Sequence, residues 1–150
     1  MVNVCAIGDP HGKISKVKKA PKSVDFYLLT GDLGKADFAR KFFFENIRRK
    51  KEGLEELEYT AKESKKSHDE VHYSTIDVLG YLSKIVLIYI IEGNVGIATD
   101  KDSREREEQY GVKHPPTRSK IDKMKNISLV KNRLRILEGL RVGFLEYFTD

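Results

Sequence analysis

A chain of 150 residues carries enough sequence for one domain and one core. Its hydrophobic share of 39% and charged share of 34% fit a soluble globular protein and exclude a disordered acidic tail or a membrane-embedded bundle. The net charge of +5 and pI of about 9.2 make a phosphate-bearing partner a natural expectation. Cys5 is the single cysteine, so an intrachain disulfide is excluded, and its place in an apolar run reads as a buried structural thiol. Many Lys and Glu beside a single Gln, Gln109, resemble the charge bias of thermophile surfaces. The apolar run 85–91 is too short to span a bilayer, and no signal-peptide pattern precedes the first strand. The expected compartment is the cytoplasm, with no membrane partner.

The first apolar run, 2–7, reads as a buried strand leading into Gly8-Asp9-Pro10-His11-Gly12. An Asp and a His two residues apart on a glycine-flanked turn can direct two ligand atoms at one point. Lys13 to Lys19 reads as a short basic helix ended by Pro21. The second strand, 24–30, ends in Gly31-Asp32, and strand–helix–strand order predicts a parallel pair with a right-handed crossover.

A long helical region follows. Asp37 opens it, Phe38, Phe42 and Ile47 lie at helical spacing on one face, and Phe43 and Phe44 are expected to widen that apolar face. Arg48 to Lys51 load its last turn with positive charge, which suits the helix dipole. Gly53 breaks the pattern. Thr60 with Glu63 reads as a capping box for a second helix running to about Ser83. The two helices exceed what one crossover needs, so a helical insertion over one rim of the sheet is expected. The third strand, 85–91, reaches Gly93-Asn94 after Glu92. Short helices divided by Pro115-Pro116 are expected in 97–120, then a short strand at 127–130. A hairpin of 134–137 and 140–147 turns at Glu138-Gly139.

Apolar runs ending in Gly8-Asp9, Gly31-Asp32 and Gly93-Asn94 would gather their oxygen-bearing side chains at the carboxyl edge of an open α/β sheet, where ligands bind. In that order, with His11 two residues after Asp9, these blocks resemble the calcineurin-like metallophosphoesterases, closest to the small archaeal-type members. The resemblance implies an α/β fold, the first half of the αββα metallophosphoesterase sandwich, with the helical insertion and the C-terminal hairpin added. It implies a metal-dependent hydrolase acting as a phosphatase or phosphodiesterase on a phosphomonoester or phosphodiester by a two-metal mechanism. It assigns Asp9, His11, Asp32 and Asn94 as metal ligands, with Asp32 as the bridge. Two divalent ions are implied, and the mixed oxygen and nitrogen donors suit Mn, Fe, Zn, Ni or Co.

The sequence departs from the pattern after Asn94. Val95 stands where the family places a His that assists the transition state, so no catalytic residue is assigned. His114 is the single His that follows, and the family's Gly-His-x-His block has no counterpart before Asp150. Residues 1–150 therefore read as one metallophosphoesterase-like domain, truncated before the C-terminal ligand motifs. The alternative is an inactive or shortened family member that binds phosphate or nucleic acid, or that needs a completing chain or a homo-oligomeric partner.

Other patterns carry lesser readings. His68 and His72 have the i, i+4 spacing of zinc proteases, but Asp69 replaces the Glu base that chemistry requires. With Ala61 and Leu79 they share one helical face, so they read as a helix–core boundary pair, the sharper alternative being a rim pair that contacts substrate. Lys16, Lys18, Lys19 and Lys22, and again Arg48 to Lys51, are basic patches. They read first as solvated surface and second as a phosphate-backbone track for a nucleotide or nucleic acid.

Overall fold

The computed structural model describes residues 1–93 and 97–145. Four strands, β1 (Val4–Gly8), β2 (Phe26–Gly31), β3 (Leu87–Glu92) and β4 (Ile127–Leu129), pair in parallel in the order of the chain. The connections hold α1 (Ile14–Val17), then α2 (Asp37–Lys51) and α3 (Ala61–Leu82), then α4 (Asp100–Tyr110) and α5 (Thr117–Ile121). After β4 the chain forms an antiparallel hairpin, β5 (Arg133–Leu137) and β6 (Leu140–Phe144), turning at Glu138 and Gly139, both with positive φ. The fold is mixed α/β.

Alternation along the central strands explains the layers. Tyr27, Leu29, Ile88 and Ile90 project to one face and pack with Val17, Val78, Leu79, Leu82 and Ile121 from the helices. Phe26, Leu28, Tyr89 and Ile91 project to the other face and meet Leu137, Val142 and Phe144 of the hairpin. A parallel strand buried on both sides must be apolar at every position, which is why 26–29 and 87–91 read as unbroken apolar runs. Strands added in chain order by crossovers of one hand place all their helices on one side, leaving the other side free for the hairpin.

The structure adjusts several expectations. Each of the first strands starts two residues later than its apolar run and includes the residue after it, because Gly8, Gly31 and Glu92 continue the parallel ladder. Val2, Val24 and Ile85 are lead-in residues that still pack on the cores. The helical insertion resolves into unlike parts. α3 is the true crossover, burying Val78, Leu79 and Leu82 against the sheet, at about 1.5–3 kcal/mol for each such side chain. Only α2 is extra, and it rests on α3 through Lys35–Glu70, Phe38 N–H donating to Glu70, and Lys35 N–H donating to Ser74 Oγ. Phe43 and Phe44 do not widen a buried face of α2: they are 60% and 53% exposed. Phe38 and Phe42 instead stack on Tyr59 from the returning loop. The capping box at α3 forms as expected, with the Glu63 backbone N–H donating to Thr60 Oγ1 and the Thr60 backbone N–H donating to the Glu63 carboxylate.

Candidate metal centre

The carboxyl ends of β1 and β2 build the site. Asp9 N–H donates to Thr30 O at 2.9 Å, His11 N–H to Asp32 O at 3.0 Å, and Gly12 N–H to Leu33 O at 2.8 Å. The β1–β2 pairing thus continues past the strands into the turns that carry Asp9, His11 and Asp32. Asp9 and His11 take positive φ, 42° and 45°, a region that costs a non-glycine residue about 1–2 kcal/mol. The result is that a carboxylate oxygen of Asp9, a ring nitrogen of His11 and a carboxylate oxygen of Asp32 all lie within 4.8 Å of one another.

Glycines make the room. A Cβ on Gly31 would sit 1.9 Å from Asp9 Oδ1, and one on Gly93 would sit 2.4 Å from Asp32 Oδ1 and 2.5 Å from the Gly31 carbonyl carbon. Gly31 also has φ of +80°. The Asp32 backbone N–H donates to Asp9 Oδ1 at 2.9 Å, which turns that carboxylate toward the cleft and leaves its other oxygen for a ligand. Asp32 is 8% exposed, Asp9 is open to solvent and His11 lies between. The cleft, of about 440 Å³, is lined by Asp9, Thr30, Asp32, Glu92, Gly93 and Leu145 among others. The two carboxylates that line it, with the His11 imidazole within 4.8 Å of both, are a donor set for a divalent first-row transition ion.

Of the residues expected at the site, Asp9, His11 and Asp32 are brought together. Asn94 and Val95, and the end of the hairpin at 146–147, lie outside the described residues. Glu92 and Leu145 were not anticipated. Glu92 continues the alternation of Ile88 and Ile90, so its carboxylate points to the helix side, where Arg118 of α5 donates to it at 3.2 Å. A charged residue at an inward strand position was the available signal.

His68 and His72 are buried and face α5 and the loop before it. Their placement is at the boundary between α3 and the core. His68 Nε2–H donates to the Pro115 carbonyl at 2.7 Å, and His72 Nδ1 bonds Thr117 Oγ1 at 2.9 Å. His114 joins them, its ring 5.0 Å from that of His68. Its Nδ1–H donates to the Val112 carbonyl, and its Nε2 hydrogen-bonds Ser64 Oγ at 3.0 Å. Burial pushes the pKa values of His68 and His72 down. His114 is therefore spent on the helix layer rather than gathered with Asp9, His11 and Asp32. His68 does border a second cleft, of about 540 Å³, with Ala39, Ser67, Asp102, Arg106 and Thr117. Cys5 is half-buried and packs on the helix-side core, and desolvation pushes its thiol up, away from nucleophilic use.

No protein-family model, curated protein or solved structure matches this chain. Among the described residues, no helix is long and apolar enough to cross a membrane.

Proposed function

We propose that the chain is a metal-dependent phosphoesterase of the calcineurin-like kind. The observation that carries this reading is the convergence of Asp9, His11 and Asp32 within 4.8 Å at the carboxyl edge of a parallel sheet. The hairpin on the face away from the helices is compatible with the start of the second layer of a ββ sandwich.

The donor set fits the implied cofactor, because hard carboxylates and one imidazole suit Mn, Fe, Zn, Ni or Co, and the Gly31 and Gly93 cradles hold open the space a Cβ would fill. Asp9, His11 and Asp32 would hold the ion. When bound, a divalent ion supplies Lewis-acid polarisation of a phosphoryl oxygen and lowers the pKa of water. The chain's own residues do the rest. Asp32, the most buried of the three, fixes the floor of the cleft. The Asp32 N–H locks one oxygen of Asp9, so that carboxylate cannot rotate. Arg118 neutralises Glu92, which keeps an unpaired carboxylate from repelling an incoming phosphate ester.

The test is hydrolysis of p-nitrophenyl phosphate and of bis-p-nitrophenyl phosphate with added Mn²⁺. The expected result is turnover of one of them that chelator abolishes, reduced in Asp32→Asn by about a hundredfold or more, in line with loss of a metal-held phosphoryl clamp. Turnover unaffected by Asp32→Asn would defeat the reading.

A further inference from the structure

We propose that the outward face of α2 is a binding surface for single-stranded nucleic acid, independent of the metal centre. The helix carries Arg40, Lys41, Arg48, Arg49, Lys50 and Lys51 against Asp37 and Glu45, a net charge of +4 over 15 residues. Arg48 is held by Glu45 and Glu52, and Arg49 Nε–H donates to Glu55 O. Among the described residues, Arg40, Lys41, Lys50 and Lys51 enter no ion pair. An ordinary solvated helix face pairs its charges at i, i+4, as Arg48 does, and leaves out large apolar groups.

This face does the opposite. Phe43 and Phe44 stand side by side in solvent with ring centroids 5.7 Å apart. Helical spacing sets Phe44 beside Arg40 and Lys41, one turn before it, and Arg48, one turn after it. The Arg40 guanidinium already lies over the Phe44 ring at 5.7 Å. Lys51 continues the row, and Lys50 lies on the Phe43 side. Rings more than half exposed and set between cations on the helix surface match the chemistry of a flexible polyanion with aromatic bases. Phosphates take the cations and bases stack on the rings.

The same geometry argues against other occupants. A lipid surface needs its apolar side chains on one face and cations on the opposite one, whereas here Arg40 and Lys51 fall between the phenylalanines on the helix surface. A second copy of this helix would bring like charges together. Base-edge readout is not required, so little sequence preference is expected.

Fluorescence anisotropy of labelled oligo(dT) and oligo(rU), about 20 nucleotides long to cover more than one site, tests this in chelator and low salt. The expected result is binding to at least one of them, with a log–log salt slope of about −2 to −3, the value for three or four neutralised phosphates on a single strand. Phe43→Ala with Phe44→Ala, and separately Lys50→Glu with Lys51→Glu, should each weaken it about tenfold or more, while Asp32→Asn leaves it unchanged. All four side chains on this face are solvent-exposed, so the variants should fold, and far-UV circular dichroism checks that they do. Comparison of the two oligomers identifies DNA or RNA as the preferred strand. No binding at low salt, binding that the phenylalanine variants leave untouched, or capture by anionic phospholipid vesicles in place of the oligonucleotides would overturn the proposal.

Discussion

The candidate site depends on single atoms. Asp9 and His11 accept left-handed backbone so that their side chains turn inward over the end of β2, and Gly31 and Gly93 surrender their Cβ atoms so that Asp9 and Asp32 can meet. The sequence displayed the ligand types and the glycines, because Asp-x-His and strand-terminal Gly-Asp are local signals. It did not display the reason for the glycines, which lies across the sheet: Gly93 on β3's end guards Asp32, and Gly31 guards Asp9. This makes a sharp prediction. Gly93→Ala places a Cβ 2.4 Å from Asp32 Oδ1 and must displace backbone or carboxylate. Mn²⁺ affinity, followed by calorimetric titration, should fall about ten- to a hundredfold, as it does when groups that orient a ligand are disturbed. Gly80→Ala in α3, whose Cβ would meet nothing within 4 Å, should leave affinity intact and gain up to about 1 kcal/mol of helix stability.

At the level of elements, the strands and hairpin were legible from apolar runs and turn residues, and the α3 cap from Thr60 and Glu63. The role of α2 was not. Periodicity alone put Phe43 and Phe44 with Phe38 and Phe42, but α2 touches the rest of the fold along one narrow stripe, and Tyr59 fills that stripe. A helix with spare apolar residues and no sheet beneath it shows them to solvent. The histidines were ambiguous for a similar reason. Their spacing fixed a shared face of α3, but not that the 112–117 segment would lie over it. His68, His72 and His114 clamp that segment: His68 and His114 each donate a proton to a carbonyl, burial keeps the His68 and His72 rings neutral, and Arg106 near His68 and Lys120 near His72 oppose further charge there. Asp69 pulls the other way on His72 but is outweighed by burial. Because burial holds the pKa values of His68 and His72 below their ordinary 6.5, the unfolded chain binds protons there more readily than the fold does. Stability is therefore fully present above about pH 6.5 and declines as the pH falls below it. Thermal unfolding midpoints measured across that range should drop on the acid side, and His68→Gln should lessen the drop while lowering the midpoint at neutral pH. A midpoint that held constant down to the carboxylate range would refute the clamp.

For the whole molecule, the decisive feature is a parallel sheet with different neighbours on its two faces: helices over Tyr27, Leu29, Ile88 and Ile90, and the hairpin over Phe26, Tyr89 and Ile91. The α/β class and the edge at which Asp9, His11 and Asp32 collect followed from the strand–glycine–acid pattern. The layer arrangement did not, because an apolar run shows that both faces are covered without showing by what. The hairpin's far side, with Leu134 and Ile136 each 69% exposed, has no cover among the described residues. What the whole arrangement achieves is to hold Asp9, His11 and Asp32 on one rigid edge, fastened by the ladder hydrogen bonds that run on past β1 and β2. That claim is tested most directly by the metal content of the purified chain after Mn²⁺ loading and desalting, measured by mass spectrometry on wild type and Asp32→Asn. About one ion or more should stay with each wild-type chain and nearly none with the variant, as expected when a buried carboxylate becomes an amide. A wild type that holds no ion, or a variant that holds as much as wild type, would contradict it.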